Sequence, residues 1–119
     1  MPDDHSMQAH WKAWCSSKTV EKTSALMNKL SQHANSPFQN LDIQPYHKGG
    51  FVVMFSTSHP YSRWADFVFS VISLGQRLGR SWMITGDIEY DPEGMTTETV
   101  VSGVSAIYWL CHRDHSAED

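Results

Sequence analysis

The chain of 119 residues is short of cysteine, of net charge and of long apolar runs. Two cysteines, Cys15 and Cys111, are too few for the disulfide framework of a small secreted domain. The start, Met1-Pro2-Asp3-Asp4-His5, lacks the basic opening and apolar stretch of a signal peptide. The longest mostly apolar stretch, Phe67 to Leu74, is interrupted by serines and falls far short of the roughly 20 residues that cross a bilayer. These absences predict a soluble cytoplasmic protein, away from membranes, with two reduced thiols. Glycine and proline are modest at 7 and 5, and 40% of residues are hydrophobic, which excludes a disordered tail or a collagen-like polymer. A net charge of −4 argues against binding to a nucleic acid backbone. No Gly-x-Ser-x-Gly elbow, Walker loop or dinucleotide-binding loop occurs.

What charge there is lies unevenly. Residues 1–80 carry eight Lys/Arg and five Asp/Glu. Residues 81–112 hold Asp87, Glu89, Asp91, Glu93 and Glu98, with no Lys or Arg. One segment near the C-terminus therefore carries the acid, which matters more for a partner than the overall balance does.

The hydrophobic pattern predicts a single domain over 9–112 between loose ends at 1–8 and 113–119. Residues 10–16 alternate as a first strand, with Trp11, Ala13 and Cys15 on one face and Trp14 on the other. Ser17 is placed to cap an amphipathic helix over 18–34, whose stripe includes Val20, Met27 and Leu30. Phe38 to Tyr46 reads as an edge strand because of Pro45, and Phe51 to Phe55 as a central one. His59-Pro60 opens a second helix, its stripe running from Trp64 to Leu78 with Gly79 as the stop. Arg80 to Tyr90 alternates as a strand. Trp82, Ile84, Ile88 and Tyr90 would point inward; Asp87, Glu89 and Asp91 would point outward. A turn at Asp91-Pro92-Glu93-Gly94 leads to a last strand, Val100 to His112, with Gly103 as a candidate bulge. The fold class is α+β. The order β-α-β-β-α-β-β fits a ferredoxin-like antiparallel sheet with two helices on one face, leaving the other face open or packed on a second subunit.

Period-two spacing sets Asp87, Glu89 and Asp91 about 7 Å apart along one strand face, with Glu93 and Glu98 in the connection. A solvated outer face explains such a row as readily as a surface for a basic partner. Calcium is excluded: an EF-hand count from Asp87 puts Pro92 where glycine must turn. Cys111, His112, Asp114 and His115 cluster in sequence, but Cys111 and His112 would face opposite ways on a strand, so no metal site or cofactor is expected. Cys15 has no cation on its own face to activate it, and no residue stands out as catalytic. Of five tryptophans, Trp14 and Trp109 fall outside the core stripes. With Tyr108 they are candidates for a pocket or an interface.

Leu74-Gly-Gln-Arg-Leu-Gly-Arg-Ser-Trp-Met-Ile-Thr-Gly-Asp-Ile88, with Ser102-Gly-Val-Ser-Ala-Ile-Tyr-Trp109, resembles small bacterial proteins of the toxin-immunity type. The resemblance implies a non-enzymatic inhibitor whose acidic surface plugs a basic toxin cleft, with Asp87, Glu89 and Asp91 foremost. The expected function is thus protein binding through an acidic strand or hairpin. The alternative is a small-molecule-binding or enzymatic homodimer that uses the open sheet face as a pocket; a plain structural subunit is a third.

Overall fold

The computed structural model describes residues 7–113. Strand β1, Met7–Cys15, shows the period-two burial of a strand covered on one side only. Ala9, Trp11, Ala13 and Cys15 are buried, while Gln8, His10 and Lys12 are exposed. The strand begins inside the stretch expected to be loose, because Met7 and Gln8 pair with His59 and Ser58. The rest of the two expected loose ends, 1–6 and 114–119, lies outside the described residues.

Helix α1, Val20–Ala34, is capped by Thr19, whose hydroxyl accepts the Lys22 N–H at 3.1 Å. The expected cap, Ser17, shares a hydrogen bond of 2.6 Å with the Thr23 hydroxyl instead. Asn35 ends the helix in the left-handed region at φ 52, a conformation that asparagine tolerates. Strands β2, Gln39–Pro45, and β3, Phe51–His59, form the expected hairpin, with β2 on the edge. His59 does not open a helix. It closes β3, buried and opposite Met7, and α2 begins later, at Trp64, and runs to Leu78. Gly79 stops α2 as expected, but in an extended conformation, φ −172, because the chain passes straight into β4, Gly79–Arg80.

The single strand expected over Arg80 to Tyr90 is absent. Ser81 and Gly86 adopt positive φ, 55 and 84, and divide it. What forms instead is β4, then β5 (Met83–Thr85), β6 (Glu93–Thr96), β7 (Glu98–Thr99) and β8 (Val104–Leu110). The break has a cause in packing. Trp82 folds back on α2, and its indole N–H donates to the carbonyls of Gly75, at 2.9 Å, and Gly79, at 3.2 Å. The Gly75 carbonyl thus accepts from the Trp82 indole as well as from the Gly79 N–H at the end of the helix.

The main sheet runs in the order β2-β3-β1-β8-β6-β5, all neighbours antiparallel, and β4 pairs with β7 in a separate ribbon. The class is α+β, with two helices and an antiparallel sheet. Met27 and Leu30 of α1 and Phe67, Val71 and Leu78 of α2 share one core with the odd-numbered residues of β1 and with Val53, Ile107 and Trp109. Both helices therefore cover the same face of the sheet. No helix among the described residues is long and apolar enough to cross a membrane.

Candidate functional site

The β5–β6 hairpin carries the expected acids, though not on a strand face. Asp87, Glu89 and Asp91 lie in the turn that joins the two strands. The Asp87 carboxylate accepts the Glu89 N–H at 2.9 Å, and the Asp91 carboxylate accepts the Asp87 N–H at 3.1 Å. The Asp87 carbonyl accepts from Tyr90 and Asp91. Short acidic side chains at these spacings build turns by bonding their own backbone. All three residues remain exposed. The turn is held to the body by Trp64 and by Arg113, whose backbone N–H donates to the Tyr90 carbonyl at 2.8 Å. The Trp64 indole N–H donates to the Ile88 carbonyl at 2.9 Å. The Arg113 guanidinium donates to the Glu89 carbonyl at 3.2 Å and lies over the rings of Trp64 and Tyr90.

The same hairpin exposes large apolar residues, among them Ile84 and Ile88, expected to face inward, and Met83, expected to face outward. Ile84 and Ile88 are 42% and 57% exposed, and Met83 and Met95 are 69% and 43% exposed. Glu93 and Glu98 are not in the turn. Glu93 accepts the Tyr108 hydroxyl at 2.8 Å, and Glu98 sits in β7 opposite Arg80. Burial and the Glu93 carboxylate push the Tyr108 phenol up to about 12, so it stays a neutral donor.

The uncovered sheet face can be read from the ladder. Asp42, Met54, Lys12, Tyr108, Met95 and Met83 form one continuous cross-strand row from β2 to β5. Trp14, between Val52 and Ala106, lies in the next row. The Lys12 ammonium stands 6.0 Å from the centre of the Tyr108 ring. Trp14 and Tyr108 thus face outward together, as candidates for a pocket or interface must. Trp109 does not join them. Adjacent to Tyr108 in a strand, it points to the opposite face, and only 1% of it is exposed.

No protein-family model, curated protein or solved structure matches this chain.

One buried polar chain was not foreseen. Trp11 Nε1–H donates to Thr57 Oγ1 at 2.9 Å, Thr57 Oγ1 meets His59 Nε2 at 2.8 Å, and His59 Nδ1 meets Ser70 Oγ at 2.7 Å. The Ser70–His59 distance is that of a nucleophile and its base. Following the protons outward from Trp11 gives a different role. The indole can only donate, so Thr57 accepts from it, and its own hydroxyl proton is free to bond Nε2. In that tautomer Nδ1 carries the ring proton and donates to Ser70 rather than serving as its base. In either tautomer the chain fastens β1, β3 and α2 together. No local pattern could reveal it, because Trp11 and Thr57 meet only once the strands are in register.

Cys15 and Cys111 are buried free thiols, pushed by burial up to about 11 and about 12. Among the described residues, no three His, Cys, Asp or Glu side chains are grouped to hold a metal ion. His115 and Asp114 lie outside the described residues.

Proposed function

We propose that this chain is a non-enzymatic protein-binding module that docks a basic partner through the β5–β6 hairpin, in the manner of a toxin-immunity protein. One observation carries the reading: four exposed large apolar side chains, among them Met83, the most exposed of the sheet, and three carboxylates coincide on one short hairpin. Met83, Ile84, Ile88 and Met95 supply area to bury, and Asp87, Glu89 and Asp91 supply a field that attracts a cationic surface. The hydrogen bonds within the turn hold the Asp87 and Asp91 carboxylates in place before binding, which lowers the ordering cost of association.

The frame is proposed to be ferredoxin-like, with β5, β6 and the β4–β7 ribbon as an insertion. The order β2-β3-β1-β8, with helices after β1 and β3, supports this. Two buried unpaired thiols suit a reducing, cytoplasmic compartment. The pairing of toxin and inhibitor genes supplies the partner to test: the product of the adjacent reading frame. Its affinity for the full chain should fall steeply as salt rises, and Asp87→Lys with Glu89→Lys should weaken binding by at least about tenfold at low salt. Tight binding that ignores both salt and these changes would refute the hairpin as the docking element.

A further inference from the structure

Close to Trp14 the ladder is irregular. Trp14 pairs with Ala106 but Cys15 pairs with Val104, so Ser105 is an extra residue with no partner across the strands. Bulges of this kind re-aim side chains and recur beside binding sites. Here the bulge sets two small residues, Ser105 and Ala106, next to a tryptophan. The Ser105 hydroxyl donates to the Trp14 carbonyl at 3.1 Å, which fixes the bulge. At the same end of the sheet the β2–β3 turn is closed by the Gly49 N–H on the Tyr46 carbonyl, at 2.9 Å. A hollow of about 390 Å³ results, lined among others by Trp14, Tyr46, Lys48, Met95, Ser105 and Ala106.

We propose that this hollow is a binding site for a small molecule made of a flat aromatic ring with a short anionic arm. Its volume falls at the lower end for small-molecule sites. The indole and the methionine thioether are the surfaces on which a ring stacks favourably. Lys48 is the one charged side chain among the described residues that line the hollow, in a chain of net charge −4. Cys15 also borders the hollow, but its side chain is turned into the core, and burial holds its thiol protonated. This site is separate from the acidic hairpin turn, although Met95 borders both the hollow and the apolar area of the hairpin.

The test is an NMR titration of the full chain with indole-3-acetate and, in parallel, with the uncharged indole-3-acetamide. Indole-3-acetate should shift the Trp14 indole N–H and the Ala106 methyl together, saturating with a dissociation constant on the order of 1 mM, as small fragments give. The amide should bind about fivefold more weakly, the size of one exposed ion pair. Lys48→Gln, on an exposed turn, should remove that difference, and Ala106→Leu should fill the hollow and abolish both titrations. No shift at Trp14 and Ala106 up to about 10 mM would overturn the proposal, as would equal affinity for the two probes. Shifts at Trp14 that follow protein concentration without any probe would also overturn it, by showing a second copy seated there.

Discussion

His59 is 3% exposed and bonded at both ring nitrogens by hydroxyl groups. Neither partner is an anion, so nothing repays a positive charge in that place, and burial pushes its pKa down to about 4 from the usual 6.5. An unfolded chain takes up the proton first. The stability that neutral His59 supports is present in full above about pH 6.5 and is lost as pH falls towards 4, a total of about 3 kcal/mol. Urea denaturation at pH 7 and pH 4.5 should show this loss. A His59→Gln variant should be less stable at pH 7 and should lose correspondingly less on acidification. Gly94 presents a second single-residue constraint. A side chain there would overlap the Trp109 indole, which is packed across the β6–β8 ladder. Gly94→Ala should cost about 2 kcal/mol in the same assay.

At the scale of an element, the β5–β6 hairpin depends on turn chemistry more than on strand propensity. Gly86 holds φ 84, and a side chain there would also run into the Asp91 carbonyl. Gly86→Ala should therefore destabilise the turn by about 1–3 kcal/mol. Amide exchange should report it locally: the Tyr90 and Asp91 N–H groups, both bonded to the Asp87 carbonyl, should exchange at least about tenfold faster. Unchanged protection at those two amides would show that the turn stands without the glycine. Alternation in Arg80 to Tyr90 misled for a definite reason. Trp82, Ile84 and Ile88 do recur every second residue, but Trp82 is drawn to the end of α2 and Ile88 sits in the turn. Period two requires an unbroken strand, and two positive-φ residues break this one.

Across the whole molecule, Cys15 and Cys111 report on global opening. Both lie in the core shared by the sheet and the helices, and burial holds both thiols protonated. At pH 8 only about one Cys15 side chain in a thousand would be a thiolate in the folded state. Labelling by a thiol reagent should be slow in native protein and become rapid in urea, in step with the loss of far-UV circular dichroism. Fast native labelling would show a looser core than the packing implies. Much of that core is legible locally. The alternation in β1, the stripes of α1 and α2, the edge role of β2 under Pro45 and the sheet-plus-helices class all follow from short-range periodicity, which is set by backbone geometry alone. Three other features required the assembled molecule. Trp109 is interior while Tyr108 is not, because pairing with β1 fixes which face of β8 the helices cover. The acids gather in a turn because α2 captures Trp82 and Trp64 captures Ile88. The hollow exists because register slips by one residue at Ser105. Contacts between residues far apart in the chain decide each of these, and local pattern carries no record of such contacts.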